Sequence, residues 1–530
     1  MSGKDTAARE GGHARGLLHG ILTVGGWTMA SRVLGFVRDI LLADLLGAGP
    51  VADAFFLANR LPNLFRRLFG EGAFNAAFIP GFSGLLAAEG HAAAKRFAEE
   101  ALAVMGVWLL GLALLAEAFM PQIMGVYALG FTPDAAKFAL VVQLGRITFP
   151  YMPLICLTAL LSGVLNGLDR FAAAAAAPVL YNLVCIGFIV ALAGLFPTVG
   201  HAASWGVTVS GVAQMALLYV AVAKGGMRLR FSWPKLTPQM RMLFRRMGPG
   251  VLGSGVVQIN LAVDGFIASL LPPGTVSVLY YADRVNQLPL GVIGAAVATA
   301  LLPTLSRQVR TETPEAARAT LNRALEFALL LTLPAALGLI AAAFPIISVL
   351  FGRGAFTAAD ATRAAQALAA YAVGLPAFVL VKVLVPAFFA RGDTRTPVWT
   401  GTLAVALNLA LNFAFMRPFQ HMGPPLASAV AAWGNAALLA VLLRRRGWFA
   451  TDAALRGHVA RMLAAGLLMV AALWALQHGP LAALAHAPGL RWLALALLIG
   501  AGGAVYGASG QLLGGFDLRA VARTLRRRRA

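Results

Sequence analysis

Long apolar stretches follow one another along almost the whole chain, separated by short polar connections. A helix that crosses the hydrocarbon core of a bilayer needs about 20 largely apolar residues, whereas strands of a membrane β-barrel alternate apolar and polar positions. Ala101 to Met120 and Met462 to Leu476 are apolar without alternation and predict helices. Reading the apolar spans against their breaks predicts fourteen transmembrane helices, beginning near residues 19, 52, 97, 134, 170, 202, 247, 276, 321, 359, 395, 422, 458 and 490. The expected fold class is an all-α polytopic membrane protein.

The connections alternate in charge. Residues 224 to 246 hold Lys224, Arg228, Arg230, Lys235, Arg241, Arg245 and Arg246, while residues 119 to 133, 195 to 202 and 271 to 276 hold no Lys or Arg. Lys95 and Arg96, Arg307 and Arg310, Arg391 and Arg395, Arg444 to Arg446 and the Arg526 to Arg529 tail fall on the same side as the basic stretch. Short basic loops stay in the cytoplasm, so both termini are expected there, in keeping with an even number of spans.

A weak internal repeat divides the helices. Ala58-Asn59-Arg60 and Ala282-Asp283-Arg284 are each followed by an apolar-Pro turn, Ile79-Pro80-Gly81 and Leu302-Pro303-Thr304, at an offset of about 224 residues. That offset is close to six helices, and an even number per unit makes the halves parallel repeats related by an axis along the membrane normal. The expected organisation is an N-lobe over 1–223, a basic cytoplasmic linker over 224–246, a C-lobe over 247–446, and helices 13 and 14 with a basic tail over 447–530. Two pseudo-symmetric six-helix lobes are thus followed by two extra helices.

Composition agrees with the pattern. Of 530 residues, 59% are hydrophobic and 12% charged, and the mean hydropathy is +0.77. The net charge of +22 would suggest nucleic acid in a soluble protein. Here much of it lies in short loops and tails beside apolar spans, which points to anionic inner-leaflet phospholipid and away from nucleic acid. The polar Met1 to Gly16 precedes an apolar segment that contains Arg32 and no convincing small-residue cleavage site, so it reads as leading into a retained first helix. Cys156 and Cys185 both sit in apolar segments and read as small buried hydrophobes.

Charges inside the spans are the anomaly. Arg32, Arg38, Arg60, Arg66 and Arg67 fall in the first two hydrophobic segments, and each costs about 2.5–3.5 kcal/mol to place at mid-bilayer on insertion scales. Asp53, Arg60 and Arg67 are spaced by seven, which keeps them within about 20° per step on one face of helix 2, with Asn63 alongside. Arg32 and Asp39 share a face of helix 1 by the same spacing, while Arg38 points elsewhere unless the helix bends near Gly35. Snorkelling, or pairing with Asp39, Asp53 or Glu71, accounts for any single arginine but not for all five. In the second lobe Arg284, with Asp283 and Gln287, lies early in helix 8, and Lys382 interrupts the apolar run of helix 10. Guanidinium groups hold phosphate through paired hydrogen bonds, so this set suits a phosphate-bearing anion. Asp264, Asn408 and Asn412 offer hard oxygen ligands for a candidate sodium ion, with interhelical hydrogen bonding as the alternative; no other cofactor is expected.

Enzymatic signals are missing. No GxxxxGK[ST] phosphate loop and no HExxH occur, and the eight histidines show no metal-ligand spacing. The chain is therefore not expected to be an enzyme.

Ser31-Arg32-Val33-Leu34-Gly35-Phe36-Val37-Arg38-Asp39, Ala52-Asp53-Ala54-Phe55-Phe56 and the run from Leu61-Pro62-Asn63-Leu64-Phe65-Arg66-Arg67 to Gly70-Glu71-Gly72-Ala73-Phe74 resemble the MurJ/MviN lipid II flippases. So do Tyr280-Tyr281-Ala282-Asp283-Arg284, Leu288-Pro289-Leu290-Gly291-Val292, Leu350-Phe351-Gly352-Arg353-Gly354-Ala355-Phe356 and Val381-Lys382-Val383-Leu384. The resemblance covers essentially the whole chain. It implies a transporter of the multidrug/oligosaccharidyl-lipid/polysaccharide exporter superfamily in the bacterial inner membrane. The implied cargo is lipid II, the undecaprenyl-pyrophosphate-linked peptidoglycan precursor. By that resemblance Arg32, Arg38, Arg66 and Arg284 hold the pyrophosphate headgroup with Asp53 in support, and helices 13 and 14 line a groove for the polyprenyl tail.

With Arg67 and Lys382 added from the residue pattern, the expected binding set is Arg32, Arg38, Asp53, Arg66, Arg67, Arg284 and Lys382. Ser31, Asp39, Arg60, Asn63, Glu71, Asp283 and Gln287 are expected to support it. The expected mechanism is alternating access driven by membrane potential or an ion gradient, by a monomer with cell-wall synthesis proteins as candidate partners. The alternatives are a flippase for another polyprenyl-linked glycan, a drug exporter of the same superfamily, and a membrane enzyme of lipid-linked sugar metabolism. A cation-drug exporter calls for acidic cavity residues, and the enzyme lacks a catalytic constellation.

Overall fold

Nineteen α-helices and no strand occupy the residues that the computed structural model describes, 3–67, 73–311, 313–487 and 489–516. In chain order they are α1 (Gly3–Leu46), α2 (Pro50–Phe65), α3 (Ala73–Glu89), α4 (His91–Ala118), α5 (Met120–Tyr127), α6 (Ala135–Thr148), α7 (Tyr151–Gly167), α8 (Phe171–Ala191), α9 (Val199–Lys224) and α10 (Pro238–Ser269). Then follow α11 (Thr275–Thr311), α12 (Pro314–Ala341), α13 (Ala343–Phe351), α14 (Ala358–Phe389), α15 (Arg395–Phe419), α16 (Gly423–Arg445), α17 (Ala453–His478), α18 (Pro480–His486) and α19 (Arg491–Leu512). Each of the fourteen expected spans coincides with a helix or a consecutive pair. The short α5, α13 and α18 lie in connections.

Among the described residues nine segments are long and apolar enough to cross a membrane, and two of them contain two helices each. Helices α1, α2, α3, α10 and α11 occupy the remaining expected spans. Four of these carry charges of the expected spans, Arg32 and Arg38 on α1, Asp53 and Arg60 on α2, Asp264 on α10, Asp283 and Arg284 on α11, and Lys382 lies on α14.

Helix boundaries follow local chemistry. The Asp134 side chain accepts from the N–H groups of Ala136 and Lys137 at the start of α6, and Thr357 with Asp360 forms a reciprocal capping box at α14. The span expected near residue 134 is broken into α6 and α7 at Phe149-Pro150, where proline cannot donate the helical hydrogen bond. Pro62 inside α2 does the same to the Ala58 carbonyl, and the Thr148 hydroxyl of α6 lies 3.4 Å from that oxygen.

The chain forms two compact units, Met1–Val276 and Ser277–Ala530. In the first, α1 packs on α8, α8 on α9, α9 on α7, and α2 on α6. Phe78 stacks on Phe74, Phe82 and Phe97 to join α3 to α4. Helix α10, expected to open the C-lobe, packs on α2, α3 and α5 of the first unit. The expected lobe boundary falls before this helix and the unit boundary after it.

In the second unit α14 is central, packing on α12, α13 and α16, while α17 lies on α12 and α19. One end of its core joins Ile293, Leu301 and Leu305 of α11 to Val379, Val383 and Phe388 of α14 and to Leu439 and Leu443 of α16.

Candidate functional site

In the first unit the charged residues of α1 divide by environment. Arg32 is exposed, and Ser31 is half-buried. Arg38 is only 9% exposed and Asp39 2%. Arg38 Nη2 and Nε donate to Asp39 Oδ1 at 2.8 and 3.2 Å, and Nη1 donates to Asn182 Oδ1 on α8 at 3.1 Å. The guanidinium also lies 5.4 Å from the centre of the Tyr181 ring. Asn182 Nδ2 in turn donates to the Ser31 carbonyl at 3.0 Å. Arg38 and Asp39 therefore form a buried ion pair at the contact of α1 with α8.

Helix α2 carries its polar face from a buried end to an exposed one. Asp53 is 1% exposed, and its Oδ2 accepts from the Gly274 N–H at 2.6 Å, in the turn after α10. Arg60 is half-buried one heptad further on. Arg66 Nε donates to Asn63 Oδ1 at 3.1 Å, and Asn63 Nδ2 donates to the Asn59 carbonyl at 2.8 Å. The helix widens into a π turn at Arg66 and Arg67, where Arg67 is exposed. Glu71, expected to support this group, lies outside the described residues.

A second polar group joins α2 to α5 and α10. The Arg60 guanidinium hydrogen-bonds the Tyr127 hydroxyl, and Asp264 acts on the same hydroxyl electrostatically. Burial pushes the hydroxyl's pKa up, and Arg60 opposes that rise. The backbones come close here because glycine permits it: a methyl group on Gly265 would stand 2.5 Å from the Tyr127 oxygen, and one on Gly130 only 2.0 Å from the Ser269 carbonyl oxygen. The loop after α4 is thus seated directly on the C-terminal turns of α10.

In the second unit Arg284 is half-buried, and its Nε and Nη2 both donate to the Tyr280 hydroxyl one turn earlier, at 3.1 and 2.9 Å. Tyr281, wholly buried, packs on Phe351 and Phe356 and stands edge-on to Tyr280. The aromatic residues of Leu350 to Phe356 therefore brace the turn that presents Arg284. Gln287 donates to Asp283 on the same helix. Lys382 of α14 reaches α11, where a methyl group on Gly294 would come within 2.6 Å of its Nζ.

The candidate sodium ligands are divided between the units, Asp264 in the first and the two asparagines in the second. Asn412 Nδ2 donates to Asn408 Oδ1 and to the Asn408 carbonyl, and Asn408 Nδ2 donates to Ser428 Oγ at 3.0 Å. This is a hydrogen-bonded link from α15 to α16.

Sequence reasoning missed Asn182, Tyr181 and Tyr127, and named Tyr280 only within a motif, without a role. The first was open to detection, because an Asn within the apolar run of α8 is a polar residue in a span and such residues usually bond across helices. The tyrosines carry no comparable mark.

The architecture defines a polytopic helical transporter fold. It is similar to an inward-facing multidrug resistance MATE family transporter of the MOP superfamily, with a TM-score of 0.60 and 16% identity over 80% of this chain and 97% of that one. It is also similar to a structure described as lipid II flippase MurJ in an inward closed conformation, with a TM-score of 0.76 and 24% identity over 93% and 98% of the two chains. Residues 42–485 match the family model of lipid II flippase MurJ. A probable lipid II flippase MurJ of Rhizobium meliloti is 43% identical, covering 95% of both chains. The lipid II flippase MurJ of Burkholderia cenocepacia is 36% identical over 81% of this chain and 84% of its own. The chain belongs to the lipid II flippase MurJ family.

Proposed function

We propose that this protein moves lipid II from the cytoplasmic to the periplasmic leaflet of the inner membrane by alternating access, making and breaking no covalent bond. The observation that carries the reading is the set of guanidinium groups that span-forming helices present outside their packed cores. Arg32 and Arg67 are exposed and Arg66 is half-buried, while Asp39 and Asp53 are buried. A pyrophosphate accepts paired hydrogen bonds from such groups. Arg32, Arg66, Arg67, Arg284 and Lys382 are the headgroup contacts in this reading. Arg38, with Asp39 and Asn182, holds α1 in place, Asp53 and Asn63 shape α2, and Tyr280 orients Arg284.

Both termini and the basic connections lie in the cytoplasm, beside anionic phospholipid. An inside-negative potential favours outward movement of an anion by about 2.3 kcal/mol per charge per 100 mV, so transport needs no nucleotide. Membrane potential is one drive in this reading and an ion gradient the other, for which Asp264, Asn408 and Asn412 are the candidate sodium ligands.

Depletion with labelled precursors tests the reading. Lipid II accumulating in the inner leaflet while its synthesis continues is the expected result. Loss of lipid II itself would mark an enzyme of its synthesis, and accumulation of a different polyprenyl-linked glycan would change the cargo. Normal growth on Arg32→Ala and Arg284→Ala variants would refute the headgroup assignment.

A further inference from the structure

The connection between α9 and α10 alternates along its length. Met227 and Leu229 are buried, and Phe231 and Trp233 continue the apolar series at every second position, while Arg228 and Arg230 occupy the positions between. This is the period of an extended segment whose two faces meet different surroundings. The segment is held against its own unit at three points. The Tyr219 hydroxyl donates to the Leu229 carbonyl at 2.9 Å, the Arg230 N–H donates to Glu99 Oε1 at 2.8 Å, and the Thr237 hydroxyl donates to Glu100 Oε2 at 2.8 Å.

So fixed, it nevertheless leaves its largest apolar side chains outside: Phe231 is 64% exposed, Trp233 79% and Leu236 61%. Phe231 lies against α4. The Phe231 ring edge lies 3.8 Å from the position of a methyl group on Gly106, two helical turns beyond the Glu99 anchor and within the apolar span. Arg228, Arg230 and Lys235, interleaved with these residues in the sequence, are exposed too. Exposed aromatic rings beside a membrane span, with cations interleaved along the same segment, have the chemistry of the bilayer interface, where the rings enter the acyl boundary and the cations meet anionic headgroups.

We infer that residues 227–237 form an in-plane anchor on the cytoplasmic leaflet, with Phe231, Trp233 and Leu236 inserted and Arg228, Arg230 and Lys235 binding anionic phospholipid headgroups. The inference rests on the cytoplasmic placement of this connection proposed above. It gives the stretch that leads from α9 into α10 a fixed purchase on lipid.

The full-length protein is reconstituted into vesicles of phosphatidylcholine with and without phosphatidylglycerol, carrying a nitroxide on Trp233→Cys. The native Cys156 and Cys185 are buried, so the label goes to the new site. With phosphatidylglycerol present the label is expected to relax faster with oxygen than with a water-soluble nickel chelate. The balance should shift toward the chelate in phosphatidylcholine alone, and the combined Arg228→Gln/Arg230→Gln/Lys235→Gln variant should lose that dependence on lipid. The Arg230 backbone bond survives this change. An impermeant thiol reagent acting on Lys235→Cys in inverted and right-side-out membranes reads the side. Labelling from the periplasm overturns both the topology and the anchor. Labelling from the cytoplasm with the residue-233 nitroxide exposed to the chelate overturns the anchor alone and favours a soluble partner, and insertion independent of phosphatidylglycerol overturns the headgroup assignment.

Discussion

Arg38 separates a structural from a substrate-binding arginine in one experiment. Arg38→Ala leaves the Asp39 carboxylate, 2% exposed, without the donors at 2.8 and 3.2 Å, and takes from Asn182 its contact at 3.1 Å. Removing one partner of a buried pair costs about 3–5 kcal/mol. An interhelical hydrogen bond within a membrane adds only about 0.6 kcal/mol. The single variant should therefore lose about 4 kcal/mol. In Arg38→Ala/Asp39→Ala no charge is stranded, so the double variant should be more stable than the single one by about 2 kcal/mol or more, a coupling that a double-mutant cycle isolates. Unfolding of wild type, both single variants and the double variant in detergent measures the coupling, and complementation of a depletion strain measures transport. We expect the double variant to regain most of both. If it regains stability and still fails to support growth, Arg38 contacts the cargo and its assignment here as a strut is wrong.

Three further outcomes follow from the geometry. Tyr280→Phe keeps the ring but removes the acceptor for Arg284, a loss of about 1 kcal/mol, so transport should fall roughly fivefold with no change in melting temperature; unchanged transport would dissociate the two residues. Gly130→Ala forces a methyl group against the Ser269 carbonyl and should cost about 1–3 kcal/mol, which a melting temperature equal to wild type would contradict. At the connection after α14, the Thr396 hydroxyl and then Arg446 hold the Asp393 carboxyl well below the ordinary carboxylate range. A depressed folded-state pKa gives stability that is present above the unfolded value and is lost as pH falls through the folded one. The unfolding midpoint should thus gain nothing from this group between pH 8 and 5, and Arg446→Gln should move its loss to higher pH, as an acid titration of unfolding would report.

The helical class and the positions of the spans were legible because apolar length is a local property, and α4, α8 and α17 each contain a long apolar run. The breaks were harder. Pro150 divides one expected span, while Pro178 sits inside an unbroken α8, so proline alone does not decide; its neighbours' contacts do. The arginines were legible as anomalies, since any charge in a span stands out. Their division was not: Arg32 and Arg38 are six residues apart on α1, and only the packing of α8 makes one exposed and the other buried. Helical spacing placed Arg32 and Asp39 on one face, yet Arg38 folds back to reach Asp39, because a long flexible side chain is not bound to the direction of its own Cβ.

The ion pair on α1 also bears on how the protein is made. Asn182 stands 144 residues beyond Arg38, which at about 5–20 residues per second is several seconds or more of further synthesis. Arg38 and Asp39, being neighbours, reach the insertion machinery together and enter the lipid already matched. The first helix therefore carries its own counter-charge through the interval before α8 exists. A nascent chain arrested ahead of Phe171 should span the membrane with both residues present and do so less often with Asp39→Asn.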